Sequence, residues 1–345
     1  MKSIPRNHLF QTCSYNIFLH KGADEKVNGS IQVEHLSKTF KKGGIQAVKD
    51  VSFHVDEGEF FAFLGPNGAG KSTTVQILTT LMNATTGTAH VAGCDVIREP
   101  EKVRRHIGVA LQETGVDPDL TGREMLELQA WIFGFGKKEG RERAMRLLEI
   151  VQLTEAADRR IGRYSGGMRR RLDLALTLVH EPAVLFLDEP TTGLDPSNRM
   201  AVWEELRRLN KEKGTTIFLT TQYLEEADSL ADRISIINDG EIVATGTPKE
   251  LKARIGSDLI ALTPAEGEDS EQILLQLKAG LNDADVIKKQ EKILIYVEEG
   301  TRQLLEVARI LDRENIQVED IQLSSPTLDD IFLKITGEGK KSDGE

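Results

Sequence analysis

At 345 residues the chain has room for two or three folding units at roughly 150 residues each, and 39% hydrophobic with 29% charged residues exclude a fibrous or wholly disordered protein. Its formal charge of -11 argues against a general nucleic-acid coat, which needs a basic excess to pair with phosphates, while leaving room for a local basic patch. Two cysteines, Cys13 and Cys94, exclude a disulfide framework and fit a reducing compartment, no Cys/His cluster has zinc-site spacing, and apolar runs of at most five residues fall far short of the about 20 that span a membrane.

In chain order, residues 1–30 carry apolar pairs interrupted by Gln11, Thr12, Ser14 and Asn16, so no signal-peptide core forms. This stretch reads as a flexible extension or a misplaced start. Ile31 to Glu34 and Val51 to Val55 alternate like strands around the turn Lys41-Lys42-Gly43-Gly44, as edge strands of an antiparallel layer. Phe60 to Leu64 and Ala183 to Leu187 are continuous apolar runs, the pattern of strands buried on both faces. Thr215 to Thr221 and Ile234 to Ile237 add two strands, and Val202, Leu206 and Leu209 keep helical spacing between them, so strand and helix alternate as in a parallel sheet.

Residues of about 113–164 have no strand-like run. Met125, Leu126, Leu128, Trp131 and Ile132, then Ala144, Leu147, Leu148 and Val151, follow helical periodicity on either side of a break at Gly134 to Gly140. A helical insertion is expected there. From Thr247 onward, 13 Lys/Arg against 21 Asp/Glu leave the tail at -8 and the first 246 residues at -3. The tail alternates strand-like (Ile293 to Val297, Ile316 to Leu323) and helical (Leu304, Val307, Ala308, Leu311) patterns, with a last helix opened by Pro326 and carrying Leu328, Ile331, Phe332 and Ile335 on one face. It reads as a small α+β domain over 247–345.

Two motifs carry chemistry. Gly65-Pro66-Asn67-Gly68-Ala69-Gly70-Lys71-Ser72-Thr73 follows the strand ending at Leu64 and precedes a helix, matching the phosphate-loop pattern. Backbone N–H groups at such a helix start wrap phosphates, Lys71 sets a charge at the β- and γ-phosphates, and the Ser72 hydroxyl suits Mg²⁺. Leu185-Phe186-Leu187-Asp188-Glu189-Pro190 ends a second buried strand with two carboxylates, where open α/β sheets bind ligands. Asp188 would hold the metal through water, and Glu189 would orient or deprotonate an attacking water.

Tyr164-Ser165-Gly166-Gly167-Met168 decides the class. It opens a helix 20 residues before Asp188, and here the chain resembles the ATP-binding cassette family of transport ATPases, whose signature loop reads Leu-Ser-Gly-Gly-Gln. The resemblance covers about 31–246 and implies an α/β P-loop NTPase cassette: a mixed sheet, an antiparallel β layer and a helical subdomain. It implies ATP and Mg²⁺ as ligands, and a head-to-tail pair of cassettes in which Ser165, Gly166 and Gly167 of one close on the nucleotide of the other. It further implies Phe40 as an adenine-stacking aromatic, with a core aromatic as the alternative, and Gln112 as a glutamine contacting Mg²⁺ and water. Asp195, in Thr192-Gly193-Leu194-Asp195-Pro196, is implied at the dimer interface, and an Asx turn there is compatible.

The family's usual switch histidine is absent, and Thr220-Thr221-Gln222-Tyr223-Leu224 stands in its place. Gln222 can hydrogen-bond a γ-phosphate but carries no proton near neutral pH, so Glu189 is favoured as base. Thr221 to Asp228, together with Pro326 to Leu333, resembles the daunorubicin-resistance type of drug-export ATPase subunits. That resemblance implies a separate membrane permease, a peripheral cytoplasmic location, no nucleic acid, and a tail that is a regulatory or dimer-stabilising accessory domain, with a packed appendage as the alternative. The competing reading is a cassette ATPase acting on nucleic acid or ribosomes, but the 94 residues from Lys71 to Ser165 hold no sustained heptads and the chain has one cassette. Arg169-Arg170-Arg171 reads as a solvated helix face, with assistance to anion binding as the alternative.

Overall fold

The computed structural model describes residues 30–41, 43–110, 115–254, 258–281, 284–289, 291–325, 327–328 and 330–332. The expected extension before Ser30, and Gln112, Pro326 and Ile335, lie outside the described residues. Strands β1 (Ile31–Thr39), β2 (Gln46–Val55), β4 (Thr86–Val91) and β5 (Cys94–Asp95) form an antiparallel layer in the order β2-β1-β4-β5. The alternation expected from sequence holds: Ile31, Val33, Val51 and Val55 are buried, while Gln32 and Glu34 are exposed.

The second layer is a six-stranded sheet ordered β10-β9-β3-β8-β7-β6, from β3 (Phe60–Leu64), β6 (Ile107–Ala110), β7 (Val184–Asp188), β8 (Thr216–Thr221), β9 (Arg233–Asn238) and β10 (Glu241–Gly246). All neighbours are parallel except the β9-β10 hairpin. Every residue of β3, β7 and β8 is buried, as expected for strands covered on both faces. Side-chain alternation divides those strands between two cores. Phe61, Phe63, Phe186 and Phe218 meet the antiparallel layer and helix α1 (Lys71–Leu78), and the rings of Phe186 and Phe218 lie 5.4 Å apart. Leu185, Leu187, Ile217 and Leu219 instead pack with Val202, Trp203, Leu206 and Leu209 of helix α6 (Pro196–Lys213).

A short helix α2 (Pro100–His106) leads into β6, and the expected helical insertion follows as α3 (Gly122–Ile132) and α4 (Lys137–Ile150), joined by two short 3-10 turns to α5 (Gly166–Thr177). The Thr121 hydroxyl and the Glu124 carboxylate form a reciprocal capping box that fixes where α3 begins. Leu126, Ala130, Ala144, Leu148, Tyr164 and Leu172 bury the shared face of the three helices.

Helices α7 (Leu224–Leu230) and α8 (Pro248–Ala253) flank the β9-β10 hairpin, and the tail then builds a four-stranded antiparallel sheet. Its order is β12-β13-β11-β14, from β11 (Asp258–Pro264), β12 (Asp285–Lys289), β13 (Lys292–Val297) and β14 (Val318–Ser324). Strict alternation gives this sheet two apolar faces. Ile260, Leu262, Ile293 and Ile295 pack under α9 (Ser270–Gly280) and α10 (Gly300–Arg313). Leu259, Leu294 and Tyr296 pack with Leu328 and Ile331 against Ala62, Leu64, Ala227 and Ile234 of the six-stranded sheet and α7. The strand that leads into Gly65 therefore sits on the tail's second core.

Candidate active site

The carboxyl ends of three adjacent strands build the site. Register places Leu64 beside Thr221 and Asp188 beside Thr220, so the loops after β3, β8 and β7 emerge together. Residues 65–70 wrap the start of α1, and two glycines permit it by close approach. A Cβ on Gly65 would sit 2.4 Å from the Ile237 carbonyl oxygen, and one on Gly70, which has φ +109°, would sit 2.4 Å from the Ala47 oxygen. Gly70 caps α1 without a side-chain bond, which leaves first-turn N–H groups available to an anion. Ala69 is buried, Pro66 and Thr73 are half-buried, and Asn67, Gly68 and Ser72 are exposed on the loop.

Lys71 is 4% exposed, and its Nζ donates to the carbonyl oxygens of Gly65 (2.7 Å) and Pro66 (3.1 Å). The same ammonium lies 3.6 Å from Glu189 Oε1. Burial lowers the Lys71 pKa, and Glu189 and Asp188 oppose that shift. Ser72 Oγ donates to Asp188 Oδ1 at 3.2 Å, and the Thr220 hydroxyl donates to the same oxygen at 2.5 Å. Lys71, Ser72, Asp188 and Glu189 thus form one cluster, as the two motifs imply.

Glu189 itself has left-handed backbone geometry, φ 50°, a conformation that costs a non-glycine residue on the order of 1–3 kcal/mol. Its N–H is fixed by the Thr220 carbonyl (3.0 Å) and hydroxyl (3.2 Å), and Thr192 Oγ1 donates to its Oε2 at 3.3 Å. Gln222 directly follows β8 and is half-buried at the same edge.

Phe40 belongs to none of the apolar cores. It is half-exposed at the end of β1, with its N–H bonded to the Ile45 carbonyl and Lys38 Nζ 5.6 Å from its ring centre. The adjoining start of β2, at Ala47, touches Gly70, so the hairpin tip carrying Phe40 lies beside the phosphate loop.

Ser165, Gly166 and Gly167 stand apart from this cluster, and among the described residues no hydrogen bond or ion pair joins them to residues 65–73. Ser165 caps α5 by accepting from the Met168 N–H at 3.2 Å, and both Ser165 and Gly166 are exposed. A Cβ on Gly167 would lie 3.3 Å from the Asn198 side chain, which places the loop against the start of α6. Asp195 caps that helix through Asn198, making the compatible Asx-type cap, and those bonds lower its carboxyl pKa.

The solvated-face reading of Arg169-Arg170-Arg171 is corrected at its middle position. Arg170 is buried, donating from Nε to the Pro190 oxygen (2.7 Å) and from Nη2 to the Asp188 oxygen (3.3 Å), because α5 packs its inner face on the end of β7. Two further residues, Thr220 and Glu226, escaped sequence reasoning. Thr220 orients Asp188, and fully buried Glu226 accepts at Oε1 from Thr191 Oγ1 (3.0 Å) and Trp203 Nε1 (2.9 Å). Only the apolar rhythm around them, with polar residues breaking it at the strand end and in the first turn of α7, marks these positions in sequence.

This geometry defines a nucleotide-binding cassette of the P-loop type. The model for the ABC transporter family matches residues 48–192, and that for the C-terminal domain of DrrA1-3-like ATP-binding proteins matches 246–336. The chain is 46% identical over 311 residues to the daunorubicin resistance ATP-binding protein DrrA2 of Streptomyces coeruleorubidus, covering 89% of this chain and 95% of that protein. It is 45% identical to the doxorubicin resistance ATP-binding protein DrrA of Mycobacterium tuberculosis, over 91% and 95%, and 36% identical to the linearmycin resistance ATP-binding protein LnrL of Bacillus subtilis, over 89% and 98%. Among solved structures, a dimeric ATP-binding cassette in a post-hydrolysis state with ADP and Pi superposes at TM-score 0.59 with 30% identity, covering 63% of this chain and 98% of that one. The cbiO1 protein of Clostridium perfringens gives TM-score 0.61 with 28% identity, over 66% and 91%. The chain belongs to the ABC transporter family, as an ATP-binding subunit of the DrrA-like kind. The matching family is that of ABC transporters and the relatives named are drug-resistance ATP-binding proteins, which favours transport over action on nucleic acid. Among the described residues no helix is long and apolar enough to cross a membrane.

Proposed function

We propose that this chain hydrolyses ATP to power export of a drug or other small hydrophobic compound through a separate membrane permease, against whose cytoplasmic face it sits. One observation carries the ATPase reading: the phosphate-loop lysine and the carboxylate of the second motif converge at 3.6 Å on one sheet edge. Lys71 and the free N–H groups in the first turn of α1 bind the phosphates, Phe40 stacks on the base, and Gln222 bonds the γ-phosphate. Glu189 accepts the proton of the attacking water, held in place by Thr192 and the Thr220 backbone.

Ser72, Asp188 and Thr220 gather hard oxygen donors of the type that Mg²⁺ takes. Ser72 and Asp188 would hold that ion, joined by Gln112, and it would neutralise phosphate charge. Ser165 to Gly167 bind the γ-phosphate in the partner cassette, because an exposed helix N-terminus with free N–H groups attracts such an anion. Two composite sites follow, with Asp195 at the seam between protomers. Exposed Leu128 and Trp131 on α3 offer an apolar contact for the permease. The relatives' resistance names support the choice of cargo.

The test is co-expression with a candidate permease in a drug-sensitive host. Reduced accumulation of an anthracycline that is abolished by Lys71→Ala supports this function. Unchanged accumulation, with the pair co-purifying and hydrolysing ATP, excludes anthracyclines as cargo.

A further inference from the structure

We propose that Arg170 is a positioning residue that holds the turn bearing Glu189 and ties it to the helix begun by Ser165, Gly166 and Gly167. The guanidinium donates to the carbonyl on each side of Glu189, Asp188 O at 3.3 Å and Pro190 O at 2.7 Å. Between these two carbonyls the Glu189 backbone is left-handed, and from the opposite side Thr220 fixes its N–H. A planar fork with donors at fixed angles can hold two carbonyls together, and a lysine ammonium cannot reproduce that geometry. Asp173, one turn further along α5, holds the guanidinium through Nη1 at 3.3 Å, and both side chains are nearly fully buried.

The consequence rests on the paired-cassette reading above. In that arrangement the N-terminus of α5 serves the partner's nucleotide while Arg170, five residues on, serves the Glu189 of its own chain. Nucleotide contact at one composite site then fixes the catalytic carboxylate of the other, through one rigid helix. Small displacements of Glu189 act on the chemical step more than on ATP binding, because the phosphate loop is held separately by Gly65, Gly70 and Lys71.

The experiment uses full-length Arg170→Lys and the double variant Arg170→Met/Asp173→Leu, the latter so that no buried carboxylate is left unpaired. For both, kcat for ATP should fall by at least about tenfold with KM within about threefold of wild type, the pattern of a lost transition-state interaction. Melting temperature should stay near wild type in Arg170→Lys, which preserves the charge facing Asp173. Full turnover in Arg170→Lys, or parallel losses of kcat, ATP affinity and melting temperature in both variants, would overturn the proposal. A separate arm adds Glu189→Gln to each variant and follows ATP-dependent pairing by gel filtration. Pairing that persists supports a clamp acting on chemistry alone. If Glu189→Gln by itself never pairs, the composite-site reading has failed, whereas loss of kcat in the Arg170 variants still reports the clamp within one chain.

Discussion

The indole Nε1 of Trp203 donates to Glu226 Oε1 at 2.9 Å in a core that leaves Glu226 no exposed surface. Trp203 lies on the helix that follows Asp195, and Glu226 on the helix that follows Gln222, so this bond locks two site loops to each other. Thr191, two residues after Glu189, donates to the same oxygen and draws in the third loop.

Glu226→Ala should cost about 2–3 kcal/mol of stability, because two buried donors lose their acceptor. Glu226→Gln keeps an acceptor and should cost less than about 1 kcal/mol, or stabilise. Burial raises the Glu226 pKa above 4.5, against the opposing effects of Thr221, Trp203, Thr191 and Arg199. A folded pKa above the unfolded one means the native state holds the proton more tightly. Stability from this group is therefore full below pH 4.5 and declines as pH rises through the folded value. Urea unfolding at several pH values should show the glutamine variant gaining on wild type as pH rises. Parallel profiles would refute this.

Lys71→Ala should reduce ATP turnover by at least about a hundredfold, which corresponds to about 2.7 kcal/mol in the barrier. Removing the ammonium takes away a charge that is already buried and oriented by Gly65 and Pro66. Steady-state hydrolysis on the purified variant checks this, and a loss below tenfold would contradict the assigned role.

Gln222→His should leave turnover within about tenfold, a barrier change of about 1.4 kcal/mol, because Glu189 is the base and residue 222 supplies a hydrogen bond. The substitution should add a titration near pH 6.5 to the rate profile. A hundredfold change in either direction would make residue 222 part of the proton path.

Ile331→Ala should destabilise the whole chain by about 2–4 kcal/mol. Ile331 has no exposed surface and shares a core with Leu64, directly before the phosphate loop, and with Leu294 of the tail sheet. Calorimetry should show a lower transition temperature for the catalytic unit as well as the tail. An unchanged catalytic transition would mean that the two units melt independently.

Much of this was readable before the fold was known. Phe60 to Leu64 and Val184 to Leu187 are apolar without a break, and only strands covered on both faces tolerate that, so the loops at their ends could be located. The tail's docking face was less legible. Leu294 and Tyr296 face the catalytic sheet while Ile293 and Ile295 face α9 and α10, and an uninterrupted apolar run does not say which neighbour each face meets. The paired acids Glu225 and Glu226 look alike in sequence, yet a helical step of about 100° exposes the first and buries the second. The same step separates Arg170 from its half-exposed neighbours Arg169 and Arg171. Charge identity gives no sign of such burial, because the partners, Trp203 and Thr191 or two backbone carbonyls, come from distant parts of the chain.

The composite-site claim is tested most directly by gel filtration of Glu189→Gln with and without ATP and Mg²⁺. Removing the base blocks hydrolysis while leaving Lys71, Ser72 and the exposed Ser165 helix start in place. The variant should elute as a stable dimer with ATP and as a monomer without it. A variant that binds ATP and still elutes as a monomer would contradict the claim.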